Sequence, residues 1–424
     1  MIDQKKYDEY IKILREELVV ALGCTEPIAL AYAAAKAREA LGAMPEKIQA
    51  YCSGDIIKNV KSVTIPNTGN LKGVNASILI GIVGGNPDKG LEVLEDIEQR
   101  HIDETWRLLD TDICTTKRME SETPLHILIE VQSGEDRASV EIKHAHTNIT
   151  SIKKNGVEIF KAQEADGKSH GYQTDRELLN VSDIYDFTNE VNLDDVKELI
   201  DRQIEYNIRI AEEGMTGKYG VSIGKMLLDS YPETPINKGR AYAAAASEAR
   251  MSGCTLPVVI NSGSGNQGIT ASVPLIIYAR EKNLPEEMMY RALVFSNLLT
   301  IHFKTGIGPL SAFCGAVCAA CGAGAGIAYL DGASLNMIKK TITNTFANVS
   351  GIICDGAKPS CGAKIASAFD AAIMAYNLAL NDDAYKAKEG ILQSDVEDTI
   401  QVIGHIGRVG MTGLDETILD IMLK

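Results

Sequence analysis

An uncharged run at positions 311–330, SAFCGAVCAACGAGAGIAYL, restricts the possible folds of this chain more than any other segment. The run is long enough to cross a bilayer, yet Gly, Ala and Cys dominate it, and their weak apolar character drives membrane insertion poorly. Small side chains instead allow neighbouring backbones to approach closely. We therefore predict a buried helix that packs tightly against other helices, and the same environment for the uncharged stretch 254–279.

Both ends of the chain have a helical pattern. Near the amino end, apolar residues recur at helical spacing, Gly23 can end this helix, and a second helix opens at Pro27. This pattern predicts a helical hairpin over residues 1–45 with GCTEP as its hinge. Residues 181–424 are also mostly helical in pattern and rich in Ala and Gly.

The segment between these ends has a different residue pattern. Short segments such as KIQAYCSG and LHILIEVQS are typical of strands, and a helix is predicted over 87–100. We expect an α+β fold with an Ala/Gly-rich, mainly helical domain built from both chain ends. In this scheme the hairpin 1–45 joins the helical catalytic domain 181–424, and a smaller α+β domain, 46–180, is inserted between them.

Charge and composition narrow the range of partners. Fifty-seven acidic and 42 basic side chains give a net charge of −15, which repels the phosphates of nucleic acids and of anionic membranes. The segment MIDQKKYDEYIKILREE is charged and amphipathic, unlike a signal peptide or a membrane anchor. We expect a cytoplasmic protein that acts on a small molecule and binds neither nucleic acid nor membrane, with homo-oligomerisation left open.

The glycines Gly263, Gly265 and Gly268 form G-x-G-x-x-G within NSGSGNQG, between an apolar strand and a helix. A dinucleotide site also needs a second strand with an acidic end about 20 residues later, where the pattern is helical. We therefore favour a small anion cradle at a helix N-terminus. The side chains that could orient a small polar substrate are Asn261, Ser262, Ser264, Asn266 and Gln267. A tight structural turn is the alternative for each.

The nine cysteines are expected to be free thiols, because a reducing cytosol disfavours disulfides. Cys52 and Cys114 have no partner nearby in the sequence and are interpreted as buried core residues. Cys318 and Cys321 form C-x-x-C inside a predicted helix, where packing is favoured over zinc binding.

Three further cysteines lie around a polar loop late in the chain. Cys354 and Cys361 flank the loop, and Cys314 lies 40 residues before Cys354. Zinc would need a fourth ligand. Three thiolates could instead hold one iron–sulfur cluster with a free corner, whose open iron can act as a Lewis acid. Spacing alone does not choose between these alternatives.

Four motifs in this order, GCTEPIALAYAAA, NSGSGNQG, FCGAVCAACGAGAGIAYL and ICDGAKPSC, resemble the L-cysteine desulfidase family, a relative of the α-chain of iron–sulfur L-serine dehydratases. The resemblance covers nearly the whole chain. It implies iron–sulfur-dependent, pyridoxal-phosphate-independent β-elimination of L-cysteine to pyruvate, ammonia and sulfide, a reaction of cysteine catabolism. It also implies that Cys314, Cys354 and Cys361 hold a [4Fe-4S] cluster in the domain 181–424, and that Cys24 is the proton acceptor.

The resemblance distinguishes two branches of relatives. In the serine dehydratases the last two cluster ligands are farther apart than the seven positions found here, so this chain follows the desulfidase branch. L-Serine dehydration by the same mechanism is the first alternative function. A non-catalytic iron–sulfur or redox-sensing protein is the second.

The residue types suit β-elimination, which needs a base for the Cα proton and an electrophile for the leaving group. Departing sulfide is a soft ligand suited to iron. Cys24 directly precedes Thr25, a possible N-cap, so the N-terminus of the following helix can favour a thiolate at Cys24. A buried hinge thiol is the alternative, and Cys254 in the matching GCTLP sequence is the rival base.

Other polar residues near these motifs are less informative. His144 and His146 alternate in a predicted strand, where solvated side chains are favoured over metal ligands. Lys358 and Lys364 could attract a substrate carboxylate or tune the field of the cluster.

Overall fold

The structure is a computed structural model that describes residues 2–162 and 172–424. Residues 163–171, part of the predicted domain 46–180, lie outside the described residues. The strands are β1 (Val20–Leu22), β2 (Lys47–Cys52), β3 (Cys114–Arg118), β4 (His126–Ser133), β5 (Asp136–Lys143), β6 (Ile149–Lys154), β7 (Val157–Lys161) and β8 (Pro257–Val259).

Helices make up most of the remaining chain. The α-helices are α1 (Gln4–Glu17), α2 (Thr25–Leu41), α3 (Gly54–Val60), α4 (Val74–Gly84), α5 (Gln99–Leu109), α6 (Val181–Glu190), α7 (Lys197–Gly214), α8 (Ile223–Ser230), α9 (Pro235–Met251), α10 (Gly265–Glu281), α11 (Glu286–Ile307), α12 (Ala316–Leu330), α13 (Leu335–Asn348), α14 (Cys361–Leu380), α15 (Val396–His405) and α16 (Thr412–Leu423). Short 3₁₀ helices lie at Pro87–Glu92, Arg176–Leu178 and Leu193–Asp195, and a π-helical turn lies at Ile406–Gly410.

A six-stranded sheet has the order β3-β2-β4-β5-β6-β7. Strands β2 and β3 run parallel, and the other neighbours are antiparallel. Alternate residues of β4, namely Ile127, Ile129 and Val131, are buried on one face, where α2 and α4 pack against the sheet. The period-two alternation of apolar residues therefore sets which face of the sheet is covered by helices.

The larger core is helical and has α12 near its centre, in contact with α10, α11, α13 and α14. Nearly every residue of α12 is buried. A Cβ on Gly324 would lie 2.8 Å from the Cβ of Ala372 on α14, so the two helices are too close for a larger side chain. The predicted buried helix within 311–330 is confirmed. Across the described residues, none of the helices combines the length and apolar character needed to cross a bilayer.

The predicted α+β class is confirmed by this combination of a helical core and a mixed sheet. Helix α2 contributes to both cores: Leu30 and Ala33 pack in the sheet core, whereas Ile28 and Ala35 pack in the helical core. The domain boundaries at 45 and 180 stay predictions.

Two helix boundaries differ from the sequence-based expectation. Helix α1 ends at Glu17 rather than at Gly23, because the following residues form β1, which pairs antiparallel with β8. The helix predicted over 87–100 is displaced along the chain. Gly90 has a φ of 51° and a non-helical ψ that interrupts the 3₁₀ helix, and the regular helix α5 begins only at Gln99.

Helix α10 crosses β8 so closely that its position depends on Gly268. A Cβ there would overlap the carbonyl oxygen of Val259. Replacing Gly268 by alanine should therefore lower the free energy of unfolding by about 1–3 kcal/mol through overpacking. Gly413→Ala in α16 is the matched control, because its Cβ meets no atom within 4 Å, and stability should be unchanged or slightly raised. Equal stability of the two variants in denaturant titrations would contradict this account.

Candidate active site

The GCTEP turn, the NSGSGNQG loop and the late cysteines meet around one cavity. Its volume is about 100 Å³, below the roughly 300–1,000 Å³ of pockets that hold drug-sized ligands. A small metabolite is the ligand class that fits. The lining side chains from the three motifs are Cys24, Thr25, Glu26, Ser264, Asn266, Gln267, Cys314, Cys354 and Cys361.

A short backbone ladder brings Cys314 and Cys354 together despite their separation in sequence. The Cys314 N–H donates to the carbonyl oxygen of Ile352 at 2.8 Å, and the Cys354 N–H donates to that of Ala312 at 2.7 Å. Cys361 begins α14 and completes the group. All three thiols are partly exposed on the cavity wall.

The thiols differ in acidity because of their neighbours. A hydrogen bond from the Cys314 thiol, helped by the Lys58 ammonium, lowers the pKa of Cys354 to about 6, although burial opposes this. The same hydrogen bond and burial raise the pKa of Cys314 well above its usual value. Lys304 is buried beside these cysteines and also lines the cavity. Two lysine side chains thus lie near the thiols, although Lys58 also forms ion pairs with Asp55 and Asp415.

The donor set fits an iron–sulfur cluster better than a single metal ion. Within residues 2–162 and 172–424, no group of three or more His, Cys, Asp or Glu side chains converges on one ion position. Cluster ligands need not converge, because each cysteine binds a different iron. Three thiols on one wall, with Lys58 and Lys304 nearby, meet that requirement. The assignment of Cys314, Cys354 and Cys361 as ligands stays a prediction.

Cys24 also lines the cavity, at the N-cap of α2, one residue before the expected N-cap Thr25. Its Sγ donates to Glu26 Oε2 at 3.0 Å. Burial and the Glu26 carboxylate raise the pKa of Cys24 well above its usual value, although the charge of Arg250 acts in the opposite direction. The expectation of a thiolate favoured by the helix N-terminus is therefore not met in the free protein, where the thiol keeps its proton.

Glu26 is a buried carboxylate with several polar neighbours, among them the Thr25 hydroxyl, which donates to its Oε2 at 3.2 Å, and the sequence analysis assigned it no role. Besides Cys24, it accepts a hydrogen bond from Asn59 Nδ2 at 3.0 Å, and His146 Nε2 lies 3.9 Å from its Oε1. Burial raises the pKa of Glu26, but His146 and the Cys24 thiol outweigh burial, and the pKa falls to about 2. Glu26 is therefore an ionised acceptor directly beside Cys24. Its place inside GCTEP was the available signal.

The prediction of two solvated strand histidines is wrong. Strand β5 ends at Lys143, and His144 has a φ of 69° in the turn that follows. His146 is buried, with its ring near Glu26. The early end of the strand brings His146 to the GCTEP turn, a position that alternation along a strand does not predict.

The candidate substrate-binding residues of NSGSGNQG fall into two groups. Ser264 and Asn266 line the cavity at the N-terminus of α10. Asn261 is fully buried and donates to Asn297 Oδ1 at 2.9 Å, and Ser262 donates to Asn261 Oδ1 at 2.8 Å. The second pair belongs to a hydrogen-bond network behind the wall. Substrate contacts of all four residues stay predictions.

The glycines of the same loop have structural roles. Gly263 has a φ of 74° in the turn, and Gly268 packs against β8. Strand β8 pairs antiparallel with β1, and the segment after α10 forms α11 rather than a second strand. This topology is not that of a dinucleotide fold, which needs parallel strands. Thr25 Oγ1 donates to the Gly263 carbonyl at 3.0 Å and joins the loop to GCTEP.

The two GCT sequences lie at the same end of the β1–β8 pair, because Leu22 pairs with Pro257. Their cysteines differ in environment. Cys254 packs in the helical core, and among the described residues it is Cys24, not Cys254, that lines the cavity. This position favours Cys24 over its rival as a group that acts on a bound molecule.

The remaining cysteines are packing residues, as expected. Cys52 and Cys114 belong to the core between the sheet and its helices. Cys318 and Cys321 are fully buried on α12. Each therefore contributes to the interior rather than to the cavity wall.

The two lysines beside the cysteine loop share one partner. Lys358 and Lys364 both form ion pairs with Asp355. The Lys364 ammonium also contributes to the low pKa of Cys354. This contribution favours a role in tuning the field at the thiols over a role in attracting substrate.

Comparison with known proteins identifies a family and several full-length relatives. The family model described as serine dehydratase alpha chain matches residues 88–420. A UPF0597 protein of Desulfitobacterium hafniense (strain Y51) is 50% identical over 99% of this chain and 97% of its own length. One of Fusobacterium nucleatum is 48% identical over 99% and 100%, and one of Bacteroides fragilis is 36% identical over 98% and 97%.

The family model matches most of the chain, and the relatives match over nearly its full length. The chain belongs to the serine dehydratase α-chain family. Membership of this family indicates a lyase.

Proposed function

We propose that the protein is an iron–sulfur lyase that converts L-cysteine to pyruvate, ammonia and sulfide without pyridoxal phosphate. The observation that carries the proposal is that Cys24 and the three late cysteines, Cys314, Cys354 and Cys361, line one small cavity. The cavity lining thus combines a candidate acid–base thiol with a donor set for a cluster. These are the two groups that β-elimination requires.

The chain's own residues have distinct tasks in this scheme. Cys24 takes the Cα proton of the substrate, the Cβ–S bond breaks with its electron pair on sulfur, and the released aminoacrylate hydrolyses to pyruvate and ammonia. A bound [4Fe-4S] cluster would supply a Lewis-acidic iron for the leaving group. Cys314, Cys354 and Cys361 would hold it.

Cys24 must lose its own proton before it can act as a base. Arg250 is the neighbouring charge that already favours a thiolate, whereas Glu26 Oε2 orients the thiol by receiving its hydrogen bond. The ammonium group of a bound amino acid would also favour a thiolate, because an opposite charge within a few ångströms lowers a thiol pKa. Substrate binding and activation of Cys24 are therefore coupled in this proposal.

L-Serine is the second candidate substrate, and the name of the serine dehydratase α-chain family favours it. The same residues would remove its Cα proton, and hydroxide would leave in place of sulfide. Sulfide is the better match to a soft iron site and is also the better leaving group. We therefore place cysteine first.

The direct test is an assay on protein purified without oxygen. We expect L-cysteine to give sulfide and pyruvate in equal amounts, with a higher kcat/KM than L-serine. Removal of iron by a chelator in air should abolish product formation, because the cluster with an open iron is exposed to oxidation. Brown, iron-loaded protein that forms no product from either amino acid would contradict the enzyme and favour the non-catalytic alternative.

A further inference from the structure

Arg250 is a buried guanidinium group with unused hydrogen-bond donors. Its side chain is 2% exposed. One nitrogen, Nη1, donates to Asn266 Oδ1 at 3.1 Å, whereas Nε and Nη2 have no hydrogen-bond partner among the described residues. A buried charge with unsatisfied donors is costly. The arrangement is therefore typical of a site that is completed by a ligand.

Arg250 lines the cavity that Cys24 also lines. Gly265 lies directly against Arg250, and a Cβ at that position would overlap Nε. Only glycine therefore leaves the guanidinium where it is. This close approach positions the Arg250 guanidinium beside the N-terminus of α10.

The N-terminus of α10 adds backbone donors at the same place. Ser264 is its N-cap and provides no side-chain capping bond, and the first helical hydrogen bond runs from Gly268 N to Ser264 O at 3.0 Å. The backbone N–H groups of residues 265–267 precede that bond and are available to an anion. Two independent sets of donors, a guanidinium and a helix end, thus face one small cavity.

We propose that Arg250 and the N-terminus of α10 bind the α-carboxylate of the amino-acid substrate, an inference that rests on the proposed function. A carboxylate matches the planar fork of a guanidinium and can also accept from backbone amides. Glu26, an ionised acceptor in the same cavity, supplies the opposite charge for the substrate ammonium. The cavity thereby matches both charged groups of a zwitterionic α-amino acid.

Arg240 lies on α9, the helix that also carries Arg250, and is a matched control. It is also buried, at 4% exposure, but its Nη1 contacts Asp370 at 2.8 Å and its guanidinium lies 4.2 Å from the ring centroid of Tyr231. Its Nε and Nη2 also lack hydrogen-bond partners among the described residues, but its charge is paired with a carboxylate and Arg240 does not line the cavity. Loss of Arg240 should affect packing without affecting a ligand in the cavity.

The test measures binding of L-alanine and L-alaninamide by calorimetry to protein purified without oxygen. The two probes differ in the carboxylate and lack a leaving group. We expect the parent protein to prefer L-alanine, and Arg250→Gln to bind L-alanine about 10- to 100-fold more weakly, the worth of one or two charge-assisted hydrogen bonds. Arg240→Gln should keep the parent affinity. In turnover, Arg250→Gln should raise KM more than it lowers kcat.

Gly265→Ala provides a second variant that keeps the charge but displaces the guanidinium, and it should also weaken L-alanine binding. A folded Arg250→Gln protein that still prefers L-alanine over L-alaninamide would overturn the proposal, as would a parent protein with no preference. Sulfide release is measured in parallel. If carboxylate binding depends on Arg250 but cysteine gives no sulfide, the carboxylate site stands and the proposed lyase reaction fails.

Discussion

Cys24→Ala is expected to retain the iron and the colour of the anaerobic protein while slowing sulfide release about 100- to 10,000-fold, the usual worth of a general base. The reason is positional. Cys24 lies at the N-cap of α2 beside Glu26, far along the chain from the proposed cluster ligands. Cys24→Ser should slow sulfide release almost as much, because a hydroxyl is far less acidic than a thiol. Exchange of the substrate Cα hydrogen with deuterated solvent should be lost in both variants.

The control for this experiment is Cys254→Ala. Cys254 is as buried as Cys24, at 3% exposure, and occurs in the matching GCTLP sequence. Because it packs in the helical core rather than on the cavity wall, its replacement should leave activity near that of the parent. If Cys24→Ala turned over cysteine normally and Cys254→Ala did not, the assignment of the base would have to be exchanged.

Cys354→Ala is expected to bleach the anaerobic protein and abolish turnover, and the same holds for Cys314→Ala and Cys361→Ala. Three thiolates are the fewest that hold a cubic cluster while one iron stays open, so the loss of one ligand should release the cluster. The hydrogen bond from Cys314 and the nearby Lys58 ammonium lower the pKa of Cys354, so it is the thiol of the three that ionises most readily. Iron content and visible absorption of the purified variants measure the effect.

The matched controls are Cys318→Ala and Cys321→Ala. Both side chains are fully buried on α12, within two turns of Cys314, so they report the effect of removing a nearby thiol from the core. They should keep their iron. Full iron occupancy in any of the variants of Cys314, Cys354 or Cys361 would exclude that residue as a ligand.

Periodicity and composition predicted the larger features of the fold. Alternation in KIQAYC and HILIEVQS predicted strands, and both became neighbours in the six-stranded sheet. The small residues of 311–330 predicted a buried helix, because only Gly and Ala permit the observed approach of α12 to α14. Boundaries were less predictable: Gly23 did not end α1, since pairing of β1 with the distant β8 is a tertiary interaction.

The site was predicted in part. Motif resemblance singled out Cys24, Cys314, Cys354 and Cys361, and the structure brings these four residues to one cavity. The sequence did not predict a role for the Glu26 carboxylate, because a Glu in the first turn of a helix usually only stabilises the helix N-terminus through the helix dipole.

The sequence did not predict Arg250 and His146 as residues of the site, for a different reason. Arg250 lies near the end of the Ala-rich helix pattern YAAAASEARMSG, and His146 lies in an alternating segment. In such patterns a single charged or polar residue is normally solvent-exposed. Their burial beside Cys24 and Glu26 depends on how α9 and the turn after β5 pack, which one-dimensional spacing does not encode.

The sequence by itself determined the class of fold and the buried character of the small-residue helix. These properties depend on local periodicity, side-chain size and residue type, all of which are read along the chain. Only the tertiary structure decided which residues surround Cys24, because Glu26, Asn59, His146 and Arg250 come from different elements. It also decided that the Cys24 thiol is protonated in the free protein, since burial and a neighbouring carboxylate outweigh the helix N-terminus that the sequence alone suggests.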